Sequence, residues 1–156
     1  MLDFRFANEK DVDLIFDFIN ELAIYEKLEN QVTATKEKLK KWIFDYKSAN
    51  VIFIMFDNKE VGFALFFYNF STFKGQRGLY LEDLYIRPEY RNKGYGKETF
   101  KKLANIALEN ECQRMEWVCL NWNINSIEFY KKMGACSLDD WKTYRLNRED
   151  IENLVK

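Results

Sequence analysis

A chain of 156 residues that is 47% apolar and 31% charged falls in the range of one soluble globular domain, and it is long enough to bury a core. A formal net charge of −1 gives no blanket attraction for nucleic acid, and six glycines with one proline leave little room for flexible linkers. Histidine is absent, which excludes Ser-His-Asp and Cys-His nucleophile systems and every histidine-ligated metal site. Proton chemistry must run through carboxylate, tyrosine, lysine or thiol. Residues 1–156 are therefore expected to form a single domain without a metal.

Cys112, Cys119 and Cys136 are odd in number and lack CxxC spacing, so they suggest neither a disulfide framework nor a zinc site. Met1–Arg5 has an acid early and no apolar run, unlike a signal peptide. The apolar stretches Val51–Phe56 and Gly62–Tyr68 are far shorter than the ~20 residues of a membrane span. A cytoplasmic protein is expected.

In chain order, Phe4–Phe6 reads as a short opening strand. From Glu9 to Leu28, Leu14, Ile15, Phe18, Leu22 and Tyr25 follow a helical stripe. A second helical stretch starts at Thr35, an N-cap residue type, and runs through Leu39, Trp42 and Ile43. The period then changes. Val51–Phe56 and Val61–Phe70 read as strands joined by a hairpin at Asp57–Glu60, and Leu79–Ile86 as a third. Gly96–Asn110 carries Phe100, Leu103, Ala104, Ala107 and Leu108 at the offsets of an amphipathic helix. Met115–Leu120 reads as a strand. Asn125 and Glu128 form a capping box for a short helix that Gly134 closes. Trp141–Leu146 reads as a last strand and Arg148–Val155 as a terminal helical segment. The order predicts an α/β (α+β) fold: a mixed, mostly antiparallel sheet of about six or seven strands flanked by about four helices.

Four places could carry chemistry. Arg91-Asn92-Lys93-Gly94-Tyr95-Gly96 lies between strand and helix, where backbone N–H groups can face a phosphate. It fits neither GxGxxG nor GxxxxGK[ST], and the plainer reading is a helix-start turn with solvated cations. Glu82 and Asp83 are adjacent on an apolar strand, so a regular pleat turns one of them toward a covered face; an edge or a bulge leaves both wet. Trp122–Gly134 is either a capped helix with a core-facing Tyr130 or part of a site. In Glu21–Glu26, acids bracket Tyr25 at a helix end, which alone reads as a solvated face.

Together, R-x-x-G-x-G after an apolar strand, an amphipathic helix, a strand and an N-x-x-S-x-x-F-Y helix resemble the GNAT superfamily of acyl-CoA-dependent N-acetyltransferases, over nearly the whole chain. Glu21-Leu22-Ala23-x-Tyr25-Glu26, Leu79–Asp83 with Tyr90-Arg91, and Trp122–Ala135 are similar to the diamine (spermidine/spermine) acetyltransferases, a subgroup that also accepts small amines such as thialysine. Asn125 stands where that subgroup often has proline, and the acidic turn before Trp141 is reduced to Asp139-Asp140.

The resemblance implies a role for each place. Leu84, Tyr85 and Ile86 present backbone groups to the pantetheine arm and thioester of acetyl-CoA. Arg91, Asn92, Lys93, Gly94, Tyr95, Gly96 and Lys97 hold its pyrophosphate, and Asn123, Asn125 and Ser126 lie beside its arm. Tyr25, Glu26, Glu82, Asp83, Glu116, Trp117 and Val118 line the site of a small-molecule amine. Glu82 and Tyr130 are catalytic: Glu82 aids deprotonation of the amine and Tyr130 protonates the departing thiolate. A homodimer is implied, with no nucleic acid, membrane or metal as partner. A tyrosine of pKa ~10 can protonate an alkyl thiolate whose conjugate acid lies near ~8.5 by analogy with cysteine. Direct attack needs no acyl-enzyme, so no cysteine is assigned. The alternatives are an acetyltransferase for a protein or antibiotic amine, a non-catalytic acyl-CoA-binding module, and a nucleic-acid-binding domain on the basic run Arg91, Lys93, Lys97, Lys101 and Lys102.

Overall fold

Five strands make one sheet, ordered as they occur in the chain: β1 (Leu2–Phe6), β2 (Asn50–Phe56), β3 (Lys59–Ser71), β4 (Gln76–Ile86) and β5 (Met115–Glu116). The computed structural model describes residues 1–156, and they divide into two compact units, Met1–Val118 and Cys119–Lys156. The strand pairs from β1 to β4 are antiparallel, and β5 runs parallel to β4. Asp57 and Asn58 both adopt positive φ, 47° and 63°. That is the backbone of a two-residue turn matching strand twist, so the hairpin is tighter than the four residues expected.

Strand alternation puts Val51 and Phe53 on one face of β2 and Ile52 and Ile54 on the other, and all four are buried. The first face meets helix α1 (Val12–Tyr25), whose Ile15, Phe18 and Leu22 recur at helical spacing. Phe18 stacks on Phe63 at 5.5 Å and tilts against Phe53 at 6.1 Å and Tyr85 at 6.3 Å. α1 is shorter than the Glu9–Leu28 stripe. Its start is set by Asn8 and Asp11, which bond each other's backbone region as a capping box around the 3-10 turn Glu9–Asp11. Its end is set by Lys27 at φ 61°, with Leu28 N–H donating to Ala23 and Lys27 N–H to Ile24. Arg5 forks onto Asp11 and reaches Glu60 at 2.6 Å, tying β1 to the helix start and to β3. Helix α2 (Lys36–Leu39) opens on Thr35, whose hydroxyl accepts the Lys38 N–H, and widens into a π turn at Lys40–Asp45 that buries Ile43.

Helix α3 (Tyr95–Glu109) buries Thr99, Phe100, Leu103, Ile106 and Ala107. In the second unit, helix α4 (Ile124–Lys132) is followed by Met133 and by Gly134 at φ 93°, where Gly134 and Ala135 N–H return to Lys131 and Tyr130. Its N-cap is Asn123, not Asn125: the Asn123 side chain accepts the Ser126 N–H, so Asn125 sits inside the first turn. Helix α5 (Arg148–Leu154) ends the chain's regular structure. No helix is long and apolar enough to cross a membrane.

Two expected strands differ. Met115–Leu120 shortens to two residues, because β5 pairs only with Leu79 and Tyr80 and Val118 is already exposed. Trp141–Leu146 is not a strand. Trp141, Tyr144 and Leu146 are 79%, 89% and 55% exposed, so their spacing finds no buried face to serve.

Candidate active site

The loop between β4 and α3 is built around one glycine. Gly94 is the N-cap of α3 at φ 82°, and a Cβ placed there would meet nothing within 4 Å. No side chain caps this helix start, so N–H groups of its first turn, which have no partner within a helix, are available. Asn92 is also left-handed, at φ 60°. Lys93 and Lys97 are exposed beside these N–H groups. Open space, convergent donors, the positive end of a 15-residue helix and two lysines fit a phosphate group.

Phe56 holds both ends of this loop, a role that its place in an apolar strand does not announce. Its ring lies 5.9 Å from Tyr90 before the loop and 5.6 Å from Tyr95 after it, while the Lys93 ammonium sits 5.5 Å over Tyr90. Two tyrosines bracketing a basic loop were the available signal.

Arg91 turns back toward the strand it leaves. Its Nε–H donates to the Ile86 carbonyl at 2.7 Å, and its guanidinium lies 4.6 Å over the Tyr25 ring and 5.3 Å from that of Tyr85. Arg87, at the strand exit, donates to Glu21 at 3.2 Å and lies 4.7 Å over Phe18. The strand itself is open. Leu84, Tyr85 and Ile86 pair inward with Ala64, Phe63 and Gly62, while the pairing with β5 ends at Tyr80, leaving the outer edge of their strand without a partner strand, with the Ile86 carbonyl taken by Arg91. Gly62 permits this inner pairing, since a side chain there would run into the Tyr85 carbonyl.

A β-bulge decides between the two adjacent acids. Register passes from Phe66 opposite Leu81 to Leu65 opposite Asp83, so Glu82 is the extra residue of the bulge. Glu82 is exposed and Asp83 is largely covered. Burial pushes the Asp83 carboxyl up to about 7, helped by the neighbouring charges of Glu82 and Glu26. Glu26, the C-cap of α1, is raised by burial as well. Burial also raises the Tyr80 hydroxyl, with Glu82 and Glu116 adding to the effect.

The fold therefore brings Tyr25, Glu26, Glu82, Asp83, Tyr85, Ile86 and Arg91 into one neighbourhood. Glu116 has other partners: Arg114 Nε at 2.9 Å and Asn69 Nδ2 at 3.3 Å. Trp117 packs edge-on against Phe100 of α3 at 4.9 Å, and Val118 is exposed. Within the second unit, Asn123, Asn125 and Ser126 make the first turn of α4. Tyr130 lies two turns on, half-buried and 5.7 Å from Phe129. No group of three or more Cys, Asp or Glu side chains is arranged to hold a metal ion.

Residues 16–135 match the acetyltransferase (GNAT) family. Thialysine N-epsilon-acetyltransferase of Bos taurus is 36% identical over 163 residues, covering 97% of this chain and 95% of its own. The protein of the same name from Caenorhabditis elegans is 37% identical over 144 residues, covering 90% and 89%. Among solved structures, an integron cassette protein from the mobile metagenome of V. cholerae superposes with a TM-score of 0.81 at 26% identity, over 99% of this chain and 98% of its own. With most of its length matched and relatives above 30% identity along nearly all of it, the chain belongs to the acetyltransferase (GNAT) family and is an N-acetyltransferase.

Proposed function

We propose that this enzyme moves the acetyl group of acetyl-CoA to a primary amine of a small di- or polyamine, or of a thialysine-like amine, by direct attack. The observation that carries the reading is the acidic group Glu26, Glu82 and Asp83 beside the open outer edge of β4. The names of the Bos taurus and Caenorhabditis elegans relatives point the same way. Residues 1–156 are read as one catalytic domain, since the family match begins in the first compact unit and ends in the second. The resemblance adds a cytoplasmic homodimer.

Acetyl-CoA supplies an acetyl group activated as a thioester. The loop Arg91–Lys97 meets its pyrophosphate with backbone N–H groups and lysine charge, and Leu84–Ile86 offer backbone groups to its arm and to the thioester oxygen. Asn123, Asn125 and Ser126 line that arm by resemblance. At pH 7 only roughly one alkyl ammonium in a thousand is neutral. Glu82 accepts the proton the attacking nitrogen must lose, because no histidine exists to do so. Tyr130 gives a proton to the departing thiolate. Tyr25, Glu26 and Asp83 face the rest of the amine, whose second ammonium stays charged and complements the carboxylates. Glu116, Trp117 and Val118 complete the lining in this reading.

Initial rates with acetyl-CoA against spermidine, spermine, putrescine, thialysine, lysine and monoamines of matched length test it. Amines carrying a second positive charge should be the better substrates. Equal kcat/KM for a diamine and its matched monoamine would overturn the substrate assignment.

A further inference from the structure

In sequence Arg91 reads as countercharge for a phosphate, yet the geometry spends much of its guanidinium elsewhere. A charge-assisted bond of 2.7 Å fixes Nε to the Ile86 carbonyl, and the flat face of the group stacks at 4.6 Å over Tyr25, with Tyr85 at 5.3 Å. Tyr25 is the last residue of α1, and Glu26 follows as its C-cap, near enough for its charge to act on Asp83.

We propose that Arg91 is a positioning residue that clamps the end of α1 against the exit of β4 and so sets Glu26 opposite Asp83 for the amine. This rests on the substrate reading above. A single residue then belongs to two structures at once: its backbone to the cofactor loop, its guanidinium to the helix end that carries the amine-site acid. When the loop settles on the phosphates, the Arg91 backbone settles with it, and the Tyr25–Glu26 corner is fixed. Coupling of that kind is reciprocal, so CoA raises affinity for the amine by the factor that the amine raises affinity for CoA. Lysine cannot replace arginine here. It keeps the charge but has neither the Nε donor nor a planar face.

The test compares Arg91→Lys, Tyr25→Leu, Tyr25→Phe and the Arg91→Lys/Tyr25→Leu double variant. KM is measured for spermidine, or for whichever amine of the panel above the parent turns over fastest, and Kd for CoA is measured by calorimetry. Arg91→Lys and Tyr25→Leu should each raise the amine KM about ten-fold, within the usual range of such couplings, with the CoA Kd changed less than about three-fold. Tyr25→Phe keeps the ring that the guanidinium stacks on and should raise the amine KM less than Tyr25→Leu does, and the double variant should be no worse than either single change. A CoA affinity that falls in Arg91→Lys while the amine KM stays put would return the residue to a phosphate-ligand role. Additive losses in the double variant would equally overturn the proposal, because Tyr25 would then act on the amine independently of Arg91. A parent that prefers a monoamine defeats the substrate reading alone, and the same comparison, run with that monoamine, still decides the role of Arg91.

Discussion

Glu26, the last cap of helix α1, lies close enough to Asp83 on β4 for its charge to raise the proton affinity of that carboxyl. The larger cause is burial, and together with Glu82 the two effects bring Asp83 to about 7. Against an unfolded value of about 3.9, the folded protein holds a proton on Asp83 that the unfolded chain has released. Stability contributed by this proton is complete below about pH 4 and is lost as pH rises through about 7. Asp83→Asn should therefore stabilise the fold at pH 8, by at most about 4 kcal/mol, with the gain vanishing at pH 4. Denaturant unfolding of both proteins at the two pH values checks this, and equal stabilities at pH 8 would refute it.

The same carboxyl should report on substrate. A bound second ammonium favours the ionised form, so diamine binding near pH 7 should expel up to one proton from Asp83. Calorimetry in buffers of different ionisation enthalpy measures that proton, and Asp83→Asn should abolish it. The diamine KM should fall as pH rises through about 7. A binding enthalpy independent of buffer would contradict the arrangement.

Gly94→Val tests the loop. Open space surrounds the position, so the cost is backbone strain at φ 82°, about 1–3 kcal/mol, without a clash in the protein. The variant should fold yet no longer bind CoA at concentrations that saturate the parent. CoA binding as tight as the parent's would remove the loop from the cofactor site.

Tyr130→Phe deletes one hydroxyl. As the proton donor its loss should lower kcat by about 10²–10⁴-fold while CoA affinity holds. An unchanged kcat would make Tyr130 an ordinary helix residue.

Local pattern is what the amino-acid sequence makes legible. Phe100, Leu103 and Ala107 announce α3, and Val51–Phe56 announces β2, because each repeat exposes its own period. Glycines and cations at residues 91–97 are likewise a local pattern, the one from which a phosphate-binding loop is proposed. The bulge could not be read: whether Glu82 or Asp83 is covered depends on how Leu65 and Phe66 register against them, which is information held by another strand. Nor could the state of Asp83, since it depends first on the burial that this register sets, and beyond Glu82 also on Glu26, which acts from a helix far back in the chain. The alternation Trp141–Leu146 misled, because a period argues for a strand only where one face becomes buried.

The sheet's strand order also bears on how the chain assembles. β2, β3 and β4 are consecutive and joined by short turns, so their ladders can zip without closing a long loop. β1 must instead return across the whole stretch between Phe6 and Asn50, and each doubling of a loop adds about 0.6 kcal/mol to its closure. The meander from 50 to 86 should accordingly form first, as a template on which β1 and α1 dock late. Leu81→Ala, within the meander, should slow refolding, whereas Phe4→Leu on β1 should chiefly speed unfolding. The reverse pattern in stopped-flow kinetics would show that the chain closes its amino terminus first. On the expected order, the strand carrying Glu82 and Asp83 is in place before the helix end that delivers Glu26, so the acidic corner becomes whole only in the last step of folding.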